Sequence, residues 1–251
     1  NKKNNQKFAM QYFLTSSPSV SMDGAINPAN NFLSNLREAV KQPSKCIFVT
    51  TYPDNAPWSD HCSGCMRKAL EDAGFRFEKY TLLDRRTADN AAQLVAESDF
   101  IIMGGGHVPS QNAFIREIDL ASLLTGYQGV VMGISAGSMS CARVVYALPE
   151  EEGEATDPRY KRFLPGLGLT EVQILPHYYL YKDSLTGGKH AFRDLAMPDS
   201  ILGHRFYAFP DGTYLLGKNG VEQIHGEFFV VENGVLRKVG ENGQVMQLPF
   251  I

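Results

Sequence analysis

Short apolar runs without polar alternation recur through the first half of this chain, each followed by a longer amphipathic stretch. Cys46-Ile47-Phe48-Val49-Thr50, Phe100-Ile101-Ile102-Met103 and Gly129-Val130-Val131-Met132 are the clearest. A strand dispenses with a polar face only when both its faces are covered, as in a parallel sheet packed between helices. The segments between supply those helices. Asn31 to Lys41, Ser59 to Gly74, Ala88 to Glu97 and Asn112 to Leu124 place apolar residues at helical spacing. Ser59 is expected to cap the start of the second and Gly74 its end. Phe8 to Leu14 reads as a first strand and Phe75 to Leu82 as another. Repeated βα units of this kind predict an α/β fold: a mostly parallel, doubly wound sheet with helices on both faces.

The C-terminal third follows other rules. Glu150 to Pro165 is charged and rich in Glu, Gly and Pro, and reads as a long loop. Glu171 to Leu175 reads as a strand and Gly188 to Ala196 as a helix. Strands are then expected at Phe206 to Phe209, Thr213 to Gly217, Gln223 to Ile224 and Phe228 to Val231. Asp211-Gly212, Asn219-Gly220 and Asn233-Gly234 separate them, and such pairs favour tight hairpin turns. An antiparallel hairpin region joined to the parallel sheet is therefore expected. Without an internal repeat or an evident linker, residues 1–251 read as a single α/β domain.

Bulk numbers narrow the function. With 43% hydrophobic and 20% charged residues over 251, the chain suits a soluble globule with a sizeable core. A net charge of −3 and the lack of a long basic run argue against a nucleic-acid partner. No apolar stretch approaches a membrane span, so no membrane partner is expected. The basic start, Asn1 to Lys7, precedes an apolar run that is short and carries Gln11, with no small-residue cleavage site after it. That favours a first strand over a signal peptide and a cytoplasmic location. Cys46, Cys62, Cys65 and Cys141 are too few for a disulfide scaffold. Cys62-Ser63-Gly64-Cys65 follows Asp60-His61, yet no second Cys/His pair stands at zinc spacing. The cysteines are read as small buried apolar residues, with no metal or cofactor expected; a metal site on Asp60, His61, Cys62 and Cys65 is the competing reading.

Gly133-Ile134-Ser135-Ala136-Gly137 carries the strongest chemical signal. It lies between an apolar strand and a helical stretch, where G-x-S-x-G forms a sharp turn that lifts the serine above the sheet. Ser135 is the candidate nucleophile. A serine hydroxyl needs a base, and among six histidines His177 stands out, just past Pro176 at the end of Val172-Gln173-Ile174-Leu175. Gly104-Gly105-Gly106 ends a neighbouring buried strand, so Gly105 and Gly106, with the Ala136 N–H, are candidates for an oxyanion hole. His107 follows that loop and is placed to touch substrate or to cap the loop. Two carboxylates compete to orient the imidazole. Glu150 heads Glu150-Glu151-Glu152 after the nucleophile helix, and Asp211 lies in Pro210-Asp211-Gly212. Glu150 is preferred on reach, because an Asp in such a turn tends to bond local backbone N–H groups.

Strand-Gly-Gly-Gly, then Gly-x-Ser-Ala-Gly, then Leu175-Pro176-His177 resembles the peptidase E family of aspartyl dipeptidases, to which cyanophycinase is related. The resemblance runs from Tyr12-Phe13-Leu14-Thr15-Ser16-Ser17 to the final hairpins. It implies a fold like class I glutamine amidotransferase domains and a serine hydrolase without a cofactor. By position it makes Ser135 the nucleophile and His177 the base. Glu150 falls at an acidic position in the loop after the nucleophile helix, Asp211 at a second, and Gly105 and Gly106 in the oxyanion loop. Two features depart from the family: His107 stands where Asn is usual, and the base that reads an N-terminal Asp has no clean match, Lys189 and Arg193 being nearest. The expected partners are a small peptide substrate and further copies of the chain. The expected activity is cleavage of dipeptides or short peptides. An esterase or amidase using the same groups, or a non-catalytic amidotransferase-like binding module, are the alternatives.

Overall fold

The structure, a computed structural model, describes residues 10–21 and 24–249. The basic start and the first two residues of the expected Phe8 to Leu14 strand, Phe8 and Ala9, fall outside them, and the rest of that segment supplies the first strand. Five strands form the parallel heart: β1 (Gln11–Thr15), β2 (Ser44–Val49), β3 (Phe77–Leu83), β4 (Phe100–Met103) and β5 (Val130–Ile134). Their spatial order is β3-β2-β4-β5-β1. All four residues of β4 are 0% exposed, as a strand covered on both faces requires. Fully burying each such side chain contributes about 1.5–3 kcal/mol.

Alternation along the strands sorts the helices to the two faces. Cys46, Phe48, Phe100, Ile102, Val130 and Met132 pack against α1 (Phe32–Ala39) and α2 (Ala56–Asp72). Ile47, Val49, Ile101, Met103 and Val131 pack against α3 (Ala91–Glu97), α4 (Val108–Glu117) and α5 (Leu120–Leu123). The doubly wound expectation therefore holds.

Several boundaries differ from expectation. Helix α2 starts before Ser59, with Asn55 as its cap, because Pro57 fits the first turn and the Asn55 side chain accepts the Trp58 N–H at 3.1 Å. Ser59 is a buried interior residue that hydrogen-bonds Thr50. Gly74 follows the helix at φ +95°, as expected of a C-terminal cap. The helix expected over Asn112 to Leu124 starts earlier and divides in two at Asp119, whose φ of 51° is left-handed. Cys46 and Cys141 are buried as expected, but Cys62 and Cys65 are only half-buried.

Beyond β5 the chain makes α6 (Ala136–Ser140), then β6 (Val144–Tyr146), which pairs with β7 (Phe163–Pro165). The segment read as an unbroken loop therefore ends in a strand, because Phe163 stacks on Tyr146 at 5.0 Å. Next come β8 (Gln173–Leu175), α7 (Tyr178–Tyr181) and a small hairpin of β9 (Leu185–Thr186) and β10 (Lys189–His190). Only Ala191–Ala196 of the expected Gly188 to Ala196 helix is helical, with π-type winding, and α8 (Met197–Ser200) continues it.

The remaining strands are β11 (Phe206–Ala208), β12 (Tyr214–Lys218), β13 (Val221–His225), β14 (Phe228–Glu232), β15 (Val235–Gly240) and β16 (Val245–Gln247). Strands β12, β13 and β16 extend the main sheet antiparallel from β1. The hairpin β14-β15 joins β11 and β8 in a second, mixed sheet of order β15-β14-β11-β8, in which β8 and β11 are parallel.

Candidate active site

The elbow is built by close packing. A Cβ on Gly133 would lie 2.7 Å from the Ser138 Cα, and one on Gly137 would collide with the Met103 carbonyl at the end of β4. Glycine at both positions lets α6 fold back onto the sheet directly after β5. Ser135, between them, takes φ 52° and ψ −108°, a strained conformation for a residue with a side chain. Its N–H donates to the Thr15 carbonyl at 3.2 Å, which ties the turn to the end of β1.

Strand register brings the other groups to the same edge. In the mixed sheet Leu175 of β8 is paired with Ala208 of β11, so His177 and Asp211 leave that edge side by side. The two side chains meet: His177 Nδ1 is 2.7 Å from Asp211 Oδ1. On its other side, His177 Nε2 is 2.8 Å from Ser135 Oγ. An ionised carboxylate only accepts, so Nδ1 carries the hydrogen and the Nε2 lone pair accepts the Ser135 hydroxyl. The Asp211 carboxyl feels an upward push from burial. The hydrogen bond and charge of His177, with the Ser16 hydroxyl, outweigh it and hold the carboxyl below the usual aspartate value.

Glu150 does not hold this place, contrary to the preference drawn from the sequence. The turn at Asp211 closes through its backbone, with the Thr213 N–H donating to the Pro210 carbonyl at 3.1 Å, so the carboxylate is free to reach His177. Glu150 hydrogen-bonds Tyr181 instead, within electrostatic range of His177 and His107. Its surface is exposed, yet the protein crowding its carboxyl is the largest influence on it and raises its pKa. Tyr181 also packs edge-on against the His177 ring at 5.8 Å.

The glycine loop lies against the elbow. A Cβ on Gly105 would sit 3.2 Å from the Ile134 carbonyl oxygen and 3.8 Å from the Ser135 Cβ. Gly106 adopts φ +131°, and a Cβ there would collide with the Thr51 side chain. Ala136 opens α6, where an N–H has no intrahelical acceptor.

His107 is engaged on both ring nitrogens. Nδ1 accepts the Ser110 N–H at 3.3 Å, capping α4, and Nε2 donates to Glu154 Oε2 at 2.9 Å. Its ring stacks on Tyr52, whose hydroxyl donates to Glu151. These contacts make His107 the cap of α4 and tie it to the acidic loop. Arg193 pairs with Asp194 at 3.1 Å, and Lys189 is exposed on β10. Among the described residues no hydrogen bond or ion pair joins either to Ser135, His177 or Asp211.

Metal-ligand types converge once among the described residues, at His107, Glu151 and Glu154, whose donor atoms lie within 4.8 Å of one another. Asp60, His61, Cys62 and Cys65 form no such group, and Asp60 pairs with Arg86 at 2.6 Å.

One contributor is not singled out in the sequence, where it stands only within the Thr15-Ser16-Ser17 stretch that opens the family resemblance. Ser16, 0% exposed, accepts the His177 N–H at 2.8 Å and donates to Asp211 Oδ1 at 2.8 Å. Among the described residues no helix is long and apolar enough to cross a membrane.

The model of peptidase family S51 matches residues 12–223. No curated protein matches the chain. A crystal structure of a peptidase from an acI-B1 Actinobacterium superposes with a TM-score of 0.66 at 16% identity, covering 97% of this chain and 99% of that one. A protein of Listeria monocytogenes EGD-e, described as a candidate peptidase E and solved at 1.5 Å, gives 0.52 at 15% identity, covering 92% and 98%. At these identities the two structures bear on the fold alone.

Proposed function

The chain belongs to peptidase family S51, and from that premise we propose that it cleaves dipeptides or other short peptides through Ser135, His177 and Asp211. The observation that carries this reading is the continuous pair of hydrogen bonds, 2.8 Å from Ser135 Oγ to His177 Nε2 and 2.7 Å from His177 Nδ1 to Asp211. Ser135 Oγ attacks the scissile carbonyl carbon while its proton passes to Nε2. The imidazolium so formed keeps its Nδ1–H on Asp211, which stabilises the positive charge. The carbonyl oxygen, now negative, is met by the Ala136 N–H and by N–H groups of the Gly105-Gly106 loop. The C–N bond breaks, Nε2 returns the proton to the departing amine, and Ser135 holds the acyl group as an ester. Water then attacks this ester with its proton taken by Nε2, releasing the acid and restoring the serine. The step requires His177 with a free lone pair on Nε2, since a doubly protonated ring cannot accept the serine proton.

The test is Ser135→Ala assayed on a dipeptide library, with a fluorophosphonate probe on the wild type. Loss of a triad nucleophile costs several orders of magnitude in rate. Wild-type labelling at Ser135 and a silent variant are expected. Near-wild-type turnover in the variant ends the serine-peptidase reading. Cleavage confined to simple esters transfers the chemistry to the esterase class.

A further inference from the structure

We propose that Ser16 is a positioning residue for hydrolysis, and that the tip of β1, Thr15-Ser16, sets nucleophile, base and acid in register; this rests on the Ser135-His177-Asp211 reading above. Three groups carried by distant parts of the chain converge on these two residues. The Thr15 carbonyl accepts the Ser135 N–H at 3.2 Å and the Ser138 hydroxyl at 2.7 Å, and the Thr15 hydroxyl donates to the Gly133 carbonyl at 2.7 Å. That fixes the elbow from both ends. Thr15 is paired with Ile134 in the sheet, so Ser16 is the neighbour of Ser135 one step beyond the paired strands.

Ser16 fixes the other two groups with one oxygen. Its Oγ accepts the backbone N–H of His177, a residue held at φ 54° and ψ 46°. That hydroxyl then has its own hydrogen to give, and it gives it to Asp211 Oδ1, the same atom that accepts from His177 Nδ1. The Asp211 side chain is 55% exposed, so water competes for it and packing does not confine it. Ser16 is 0% exposed, so its own rotamer is confined. A buried donor therefore anchors an exposed acid, and the same oxygen anchors the backbone of the base. Mispositioning of about 1 Å costs on the order of a hundredfold in rate, which is the scale at which such an anchor matters.

The experiment is a double-mutant cycle on kcat, joining Ser16→Ala to Asp211→Ala, with KM, Tm and fluorophosphonate labelling of Ser135 measured throughout. Ser16→Ala is expected to lower kcat by about 10- to 100-fold with KM little changed. In the Asp211→Ala background the same change is expected to cost less than about threefold, because groups that act as a unit are not additive. Ser16→Cys, which keeps the size but donates weakly, should fall between serine and alanine, and it carries the same cycle if Ser16→Ala does not fold. A kcat equal to wild type in Ser16→Ala, or a loss of equal factor with and without Asp211, overturns the inference. Failure of the underlying reading looks different: wild-type Ser135 would not label, or Ser135→Ala would stay active.

Discussion

Replacing Asp211 with asparagine separates the two acids by a quantity the structure allows to be worked out. The charge that matters is the imidazolium formed when His177 takes the serine proton, and Asp211 Oδ1 lies 2.7 Å from its Nδ1. Two unit charges centred about 4 Å apart near a protein surface attract by about 4 kcal/mol. The Asp211 side chain is 55% exposed, so solvent screens part of this. About 2–3 kcal/mol is left, a loss in kcat of roughly 30- to 150-fold. A fully buried triad aspartate costs more, about four decades, when it becomes asparagine. Glu150 contributes only through space and through Tyr181. Glu150→Gln should therefore lose at least about tenfold less in kcat than Asp211→Asn. Steady-state kinetics on one good dipeptide for both variants decide the matter. If Glu150→Gln is the more damaged enzyme, or Asp211→Asn retains more than about a third of wild-type kcat, the orienting role assigned to Asp211 is wrong.

Two further perturbations probe the scaffold. Gly137→Ala drives a methyl into the Met103 carbonyl and to 2.8 Å from the Met103 Cβ, so α6 must lift off β4. Overpacking of this kind costs about 1–3 kcal/mol, and both Tm and turnover should fall together, whereas an unchanged Tm would contradict the packing argument. Asp199 is 5% exposed and binds Arg162 through both oxygens, at 2.6 and 2.8 Å, with the Tyr146 hydroxyl at 2.6 Å. Burial pushes its carboxyl upward, but Arg162 and Tyr146 outweigh that and hold it below the usual value. A depressed carboxyl stabilises the fold fully above its unfolded value near ~3.9, and this is lost as pH falls through the folded value. Asp199→Asn should therefore cost about 2–4 kcal/mol at neutral pH and make the acid side of a Tm-against-pH curve shallower, and an unaltered slope there would refute it.

The parts of the molecule legible in the sequence are those whose cause is local. Phe100 to Met103 announces a strand covered on both faces because four adjacent apolar residues leave no polar side. Gly133 and Gly137 announce the elbow because only glycine tolerates the Ser138 and Met103 backbones at that distance. The partner of His177 was not legible, since it depends on β11 lying parallel to β8 across more than thirty residues of sequence. The local tendency of an Asp-Gly turn to occupy its own aspartate pointed the wrong way. Ser16 left even less trace, because a serine after a strand is ordinary and its two bonds reach residues 161 and 195 positions away. The break at Asp119 and the π-type winding at Ala191–Ala196 likewise leave no mark in the apolar periodicity of the sequence.

Ser135 is carried by the main sheet, and His177 by the small mixed sheet. The 2.8 Å bond between them is thus a bridge across a seam, and Asp211 sits on the link by which the chain passes from β11 in one sheet to β12 in the other. Catalytic competence in such a molecule gauges how the two sheets are docked. Partial unbinding of the mixed sheet would disarm the enzyme while most helices and parallel strands stayed intact, so activity would decay ahead of secondary structure on heating. On the proposed mechanism the same seam would delay the chemistry during synthesis: a nascent chain can complete all five parallel strands before His177 and Asp211 are in place. On that reading the site is complete only when the last third of the chain has found its place.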